Sequence, residues 1–247
     1  MTDSSEAPRT ALVTGGNQGI GAALATCLLD AGFEVISLGL ELPTLTHPKL
    51  HGEVVDLLDD KAVAEVAGAV TAKHEVSHLF HNAGQIRPAL VEQAKASDLA
   101  ALTQLHLGSA LTLLQACLPA MKARGFGRVA FTSSRAALGV PTRTAYSATK
   151  AGISGMARTW ALELAAHGIT VNVVAPGPVL TDNFWDIVPK GSPQEAELAS
   201  LIPVGRLGSV DDVARALMFF GADEASFITG QTLFVCGGAS VGAMSLG

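Results

Sequence analysis

The chain has 247 residues, 49% of them hydrophobic and only 15% charged, with a formal net charge of −6. That length suits one large α/β domain or two small ones, and an acidic balance without any basic cluster argues against a nucleic-acid partner. No run reaches the roughly 18 uninterrupted apolar residues of a membrane-crossing helix, so no membrane partner is expected and the surplus apolar surface is assigned to a large core and to contacts between subunits.

The opening MTDSSEAPRT is polar and has no apolar signal core, so residues 1–8 read as a disordered lead. Strands are predicted over Thr10–Val13, Glu34–Leu38, Glu53–Asp56, Val76–His81, Arg128–Thr132, Ile169–Val174 and Thr232–Cys236. Helices are predicted over Gly19–Asp30, Asp60–Ala72, Ser97–Arg124, Tyr146–Ala166, Gln194–Leu201 and Ser209–Phe220. This βα alternation implies a parallel sheet with helices on both faces, each strand a near-continuous apolar run. Ligands of such sheets bind beyond the carboxyl ends of the strands. Cys27, Cys117 and Cys236 are odd in number and form no CxxC pair, which points to buried thiols in a reducing cytoplasm.

The first strand runs into TGGNQGIG, residues 14–21, and then into a helix. Glycines 15, 19 and 21 let the backbone turn tightly and approach a pyrophosphate, which the free N–H groups of the helix N-terminus would hold. The stretch TAYSATKAG places the only tyrosine, Tyr146, one helical turn before Lys150. At i and i+4 the two share a helix face. An ammonium beside a phenol favours the phenolate, so Lys150 is expected to lower the pKa of Tyr146 and make it a proton donor or acceptor for a carbonyl or an alcohol.

The glycine spacing and YxxxK together resemble the short-chain dehydrogenase/reductase family, and the resemblance covers nearly the whole chain. HNAG at 81–84 is similar to the family's NNAG, NVVAPGPVLT at 172–181 to its PG motif, and ITGQTLFVCGG at 228–238 to its last strand. The resemblance implies one Rossmann-type, doubly wound domain over 1–247, with a substrate lid over 182–203. It implies a catalytic set of Ser134, Tyr146 and Lys150, with Ser134 on the substrate oxygen and Lys150 also on the nicotinamide ribose. It implies cofactor contacts from Gly15, Asn17, Gln18, Gly19 and Ile20, from Gly39, Leu40, Asp56 and Leu57, from Asn82, Ala83, Gly84 and Thr132, and from Pro176, Gly177, Val179 and Thr181. His106 stands where the family has an asparagine that holds a water in a proton relay. Histidine can also hold a water and titrates near neutral pH, so His106 is a candidate for that role or a tolerated irregularity.

No cation marks the positions that meet a 2′-phosphate in the family: Gln18, Gly39 and Leu40 fill them and Glu41 follows. That favours NAD and leaves NADP open. Arg87, Arg135 and Arg143 lie in segments that border the substrate in the family, and their planar forks suit a carboxylate or phosphate. Phe184 and Trp185 could meet an apolar or ring-bearing substrate. HEVSH at 74–78 has the form of a zinc-protease motif, but its second half runs into a strand, where side chains alternate between faces; no metal is expected. His47 and His51 read as solvated loop residues. The expected activity interconverts a secondary alcohol and a ketone with a nicotinamide cofactor, in a homo-oligomer, a tetramer by resemblance. The alternatives are an NADPH-dependent 3-oxoacyl-thioester reductase, a dihydrodiol dehydrogenase of ring substrates, and a nicotinamide-binding regulator without turnover.

Overall fold

In the computed structural model, which describes residues 9–185 and 188–241, seven parallel strands form one sheet in the order β3-β2-β1-β4-β5-β6-β7. The strands are β1 (Thr10–Thr14), β2 (Glu34–Gly39), β3 (Leu50–Val54), β4 (His78–His81), β5 (Gly127–Thr132), β6 (Ile169–Pro176) and β7 (Thr232–Val235). The helices are α1 (Gly19–Asp30), α2 (Asp60–Thr71), α3 (Ala96–Thr103), α4 (Ser109–Arg124), α5 (Thr144–Leu164), α6 (Asp182–Trp185), α7 (Pro193–Ser200) and α8 (Val210–Gly221). The disordered lead expected over 1–8 lies outside the described residues.

Alternation along each strand sorts the side chains into two cores. Leu12, Ile36 and Phe131 face α2, α4 and α5. Ala11, Val13, Val35, Phe80 and Ala130 face α1 and α8. The central strands β1 and β5 are therefore buried at every position, as strands covered on both faces must be. The edge strand β3 breaks that expectation: Leu50–Val54 is half-buried to exposed, because only β2 flanks it. It also begins earlier than predicted. His51 belongs to β3 and not to a solvated loop, and its Nε2 lies 2.9 Å from the Glu34 carboxylate. Of the cysteines, Cys117 and Cys236 are buried and Cys27 is half-buried.

The helix predicted over Ser97–Arg124 is broken. A π-helical segment, Gln104–Gly108, separates α3 from α4. The side chain of Gln104 occupies the space that a Cβ on Gly108 would fill. The joined run Ala96–Arg124 is long and apolar enough to cross a membrane by composition alone; here α4 packs its buried face, Leu113, Leu114, Cys117 and Met121, into the core beside α2. His78 of the HEVSH stretch is buried in β4 and its Nε2 donates to the Gly221 carbonyl at 3.0 Å, while His74 lies 3.5 Å from Glu34. The two histidines thus serve separate structural contacts.

Neighbouring strands end at one level where the sheet order reverses. Thr14 pairs with Leu38 of β2 on one side and with His81 of β4 on the other. The loops after β1, β2 and β4 diverge from that line and leave a crevice between them, the position at which open α/β sheets bind ligands.

Candidate active site

The phosphate loop leaves the start of helix α1 without a side-chain cap. Helix α1 has Gln18 at its N-cap with no side-chain cap bond and no acid in its first turn, whereas α2 and α8 are capped by Asp59 and by a Ser209–Asp212 capping box. The N–H groups at the start of α1 are thus left for an anion. Gly15 adopts φ 67° and lies close under the Ala83 backbone, and a Cβ on Gly21 would overlap the Gly15 carbonyl. The loop is closed down to backbone thickness. This cradle fits the pyrophosphate of a nicotinamide dinucleotide.

Thr14 ties the loop to the next strand end. Its Oγ1 accepts the Asn82 and Ala83 N–H groups, both at 3.0 Å. It also meets His81 Nδ1 at 3.1 Å. With two donors already on the oxygen, the hydroxyl proton goes to His81, whose remaining proton then sits on Nε2. Asn82 in turn accepts from the Thr132 hydroxyl at 3.1 Å. Sequence reasoning did not single out Thr14 or His81 as site residues; the signal was available in TGG and in the histidine that opens HNAG.

All the expected cofactor residues, from Gly15 to Thr181, line one cleft of about 670 Å³ together with Ser134, Tyr146 and Lys150. Helix α5 presents Tyr146 and Lys150, and the turn after β5 presents Ser134. Ser134 Oγ accepts the Ala136 N–H at 3.1 Å, which leaves its own proton to donate to another oxygen. Lys150 is buried to 2% exposure. Its Nζ donates to the Thr132 carbonyl at 2.7 Å, and its carbonyl accepts from Ser133 Oγ at 2.6 Å.

Burial holds the Lys150 amine at about 7. Burial also raises the Tyr146 phenol, against a hydrogen bond from Ser134 and the charge of Arg143, which lower it. The expectation that Lys150 lowers the phenol is therefore corrected. The lysine Nζ lies 5.7 Å from the ring centroid and points its donor at Thr132. Its own charge is disfavoured in this dry position.

His106 is fully buried behind the cleft, within the π segment. Its Nε2 accepts the Gln85 N–H at 3.3 Å, so Nδ1 carries the proton toward Thr149 Oγ1 at 2.8 Å. Burial first, then the proximity of Lys150 and His81, which disfavours a further positive charge, holds this imidazole neutral. A Cβ on Gly84 would stand 3.2 Å from His106 Nε2 and 3.3 Å from Lys150 Nζ. The glycine of the NAG turn thus keeps open the space that both groups face.

The substrate candidates divide. Arg135, Arg143 and Phe184 line the cleft. Arg87 does not: its Nη1 pairs with Asp98 at 3.0 Å in a neighbouring hollow. Trp185 is not among the lining residues and packs against Phe184, with Lys190 over its ring. Glu41 is exposed and does not line the cleft, while Asp56 lines it and accepts the Leu58 N–H at 2.9 Å. Residues 186 and 187 of the expected lid lie outside the described residues.

A phosphate cradle, a Ser–Tyr–Lys set and a parallel sheet define a nicotinamide-dependent oxidoreductase acting on alcohol and carbonyl groups. Residues 15–240 match the family model described as enoyl-(acyl carrier protein) reductase. The chain is 34% identical over 243 residues to the (2S)-[(R)-hydroxy(phenyl)methyl]succinyl-CoA dehydrogenase subunit BbsD of Thauera aromatica, covering 94% of this chain and 97% of that one. It is 36% identical over 238 residues to the 3-oxoacyl-[acyl-carrier-protein] reductase FabG of Haemophilus influenzae, covering 93% and 97%. A 3-oxoacyl (acyl-carrier-protein) reductase structure from Agrobacterium tumefaciens with NADP bound superimposes with a TM-score of 0.84 at 31% identity, covering 93% of each chain. The chain belongs to the short-chain dehydrogenase/reductase family, as an NAD(P)-dependent oxidoreductase.

Proposed function

We propose that Tyr146 is the proton donor and acceptor of this enzyme, that Ser134 binds the reacting oxygen, and that Lys150 supplies the mobile charge beside them. The observation that carries this reading is the placement of all three in the cleft that begins at the phosphate loop. A bound nicotinamide dinucleotide supplies or takes the hydride. The phenol hydrogen goes to the carbonyl oxygen in reduction and returns in oxidation. The Ser134 hydroxyl, oriented by the Ala136 N–H, donates to the same oxygen as charge develops on it. Lys150 titrates near neutrality, so it can take up or release a proton as the phenol changes charge. His106 acts as a neutral acceptor behind it. The test is a panel of secondary alcohols and ketones assayed at the nicotinamide absorbance. Cofactor binding without turnover on any of them would favour a regulator.

NAD is the proposed cofactor. The adenosine end of the cleft is lined by Asn17, Gln18, Gly39, Leu40 and Asp56, and its cations, Arg135, Arg143 and Lys150, lie at the far end. A 2′-phosphate would meet no fixed charge. The relative from Agrobacterium holds NADP, which makes NADP the rival: titration with NADH and NADPH should show tighter NADH binding, and tighter NADPH binding would overturn the assignment. A second reading, reduction of a 3-oxoacyl thioester, is supported by the FabG relative and is checked by turnover of acetoacetyl-CoA. A ring-bearing substrate is supported by the apolar wall of Ile86, Val140 and Phe184 and by the phenyl group in the name of the Thauera relative's substrate.

The protein is proposed to work in the cytoplasm as a homotetramer. Leu111 and Leu162 are exposed on α4 and α5, and Phe219, Phe227 and Leu233 form a second exposed apolar region around α8 and β7. Light scattering that shows a monomer would remove the oligomer.

A further inference from the structure

We propose that the substrate end of this cleft binds a carboxylate through Arg135 and Arg143, so that the substrate is a hydroxy acid or its oxo acid. The inference rests on the oxidoreductase reading above and adds the substrate class to it.

The two arginines bracket the reacting groups. Arg135 follows Ser134 directly, and Arg143 is the residue from which helix α5, with Tyr146, starts. Both are half-buried and line the cleft. Arg87, Arg124 and Arg206 each pair with a carboxylate, whereas neither Arg135 nor Arg143 meets an acidic side chain among the described residues, and of the arginines without such a pair these two line the cleft. Asp182 is the acidic group at this end, and it is exposed.

The local backbone is built around Arg143. Thr142 has φ 66°, the one non-glycine residue with positive φ among those described. A β-branched residue is strained there, and such strain persists where surrounding structure enforces it and tends to mark functional positions. Here the Thr142 carbonyl accepts the Ala89 N–H at 2.9 Å, and Ala89 bridges to Arg143. The Thr142 hydroxyl accepts from Arg143 Nη1 at 2.6 Å. The strained residue thus holds a guanidinium at the cleft with donors left over, a fork suited to a carboxylate. Ile86, Ala136 and Val140 give the rest of this end an apolar lining. Arg143 stands three residues before Tyr146 at the start of α5 and lines the same cleft, so an anion held there sits close to the reacting carbon. The phosphates of a carrier thioester are separated from its carbonyl by the whole pantetheine arm. The carbonyl carbon takes the hydride of the reduced nicotinamide, its oxygen takes the Tyr146 proton, and the carboxylate stays ionised throughout.

The test compares 4-oxo-4-phenylbutanoate with its methyl ester, using the full chain and whichever reduced cofactor binds. The acid should exceed the ester at least 10-fold in kcat/KM, and Arg143→Gln and Arg135→Gln should erase most of that ratio through KM. Equal efficiency for acid and ester, or unchanged KM for the acid in both variants, would overturn the proposal. So would variants that lose acetoacetyl-CoA turnover yet keep the acid-to-ester ratio, since the arginines would then read a carrier phosphate. Calorimetry of 4-phenylbutanoate binding to the enzyme–cofactor complex gives a readout independent of turnover. Absent binding there overturns the carboxylate site alone, and failure to bind either cofactor overturns the oxidoreductase reading instead.

Discussion

Tyr146, half-buried at the wall of the cleft, stands among groups that disagree about its charge. Burial favours the neutral phenol, and Ser134 and Arg143 favour the phenolate. Oxidation needs the phenolate and reduction needs the phenol, so alcohol oxidation should climb in the alkaline range where the raised phenol loses its proton, while ketone reduction falls. Removing the Arg143 charge destabilises the phenolate. In Arg143→Gln the rising limb of oxidation should therefore move to higher pH; a pH–rate profile with a fixed limb would show that the guanidinium does not act on the phenol. His106 offers a second residue-scale test. It accepts from Gln85 and donates to Thr149 in a space shared with Lys150. His106→Asn exchanges a neutral imidazole for an amide in that space and should displace the pH profile of kcat. A profile that superimposes on the parent's would leave His106 a packing residue.

At the scale of elements, the site is set by what the loops lack. Gly21 packs on the Gly15 carbonyl with no room for a methyl group. Gly21→Ala should destabilise the fold by about 1–3 kcal/mol, the usual range for overpacking, and should weaken cofactor binding at least 10-fold, about 1.4 kcal/mol. Thermal unfolding and a cofactor titration on the same sample separate the two effects. This loop was legible in the sequence because its glycines follow an apolar strand and open a helix, a pattern dictated by backbone geometry. Helix α1 begins and ends where the pattern placed it. The π segment was not legible. Its cause is the packing of Gln104 against Gly108 and the burial of His106 against Thr149, contacts between residues far apart in the chain. The same limit explains Arg87, which lies just past the NAG turn in sequence yet is turned away by Asp98. It also explains Tyr146, whose spacing to Lys150 gave the shared helix face but not the depth of burial that sets both pKa values.

Across the whole molecule, burial disfavours the charged forms of the interior histidines and of Lys150. Burial depresses His78 and His81 to about 3, against an unfolded value near 6.5. Between those pH values the unfolded chain binds more protons than the native one. The contribution of these two histidines is therefore complete above about 6.5 and is lost as pH falls toward 3. Lys150 acts in a higher window: with a folded value of about 7 and an unfolded value near 10.4, it adds stability as pH rises between them. Denaturant unfolding of the cofactor-free protein should show both slopes. Lys150→Met should flatten the upper one, and an unaltered upper slope in that variant would contradict the burial of the charge. The doubly wound architecture was legible from the βα alternation, since central strands covered on both faces must be apolar throughout. The edge strand β3, covered less, carried a weaker signal and was placed late.

The most direct test joins binding and chemistry in one variant. Tyr146→Phe removes a single hydroxyl and keeps the ring that packs beside His106, whose centroid lies 5.7 Å away. NADH binding and ketone reduction should be measured on the same preparation. Binding within about threefold of the parent, with turnover reduced by roughly 10²–10⁴, is the expected result for loss of the proton-transfer group. Turnover at the parent rate would contradict the assignment of Tyr146 and, with it, the chemistry proposed for this cleft.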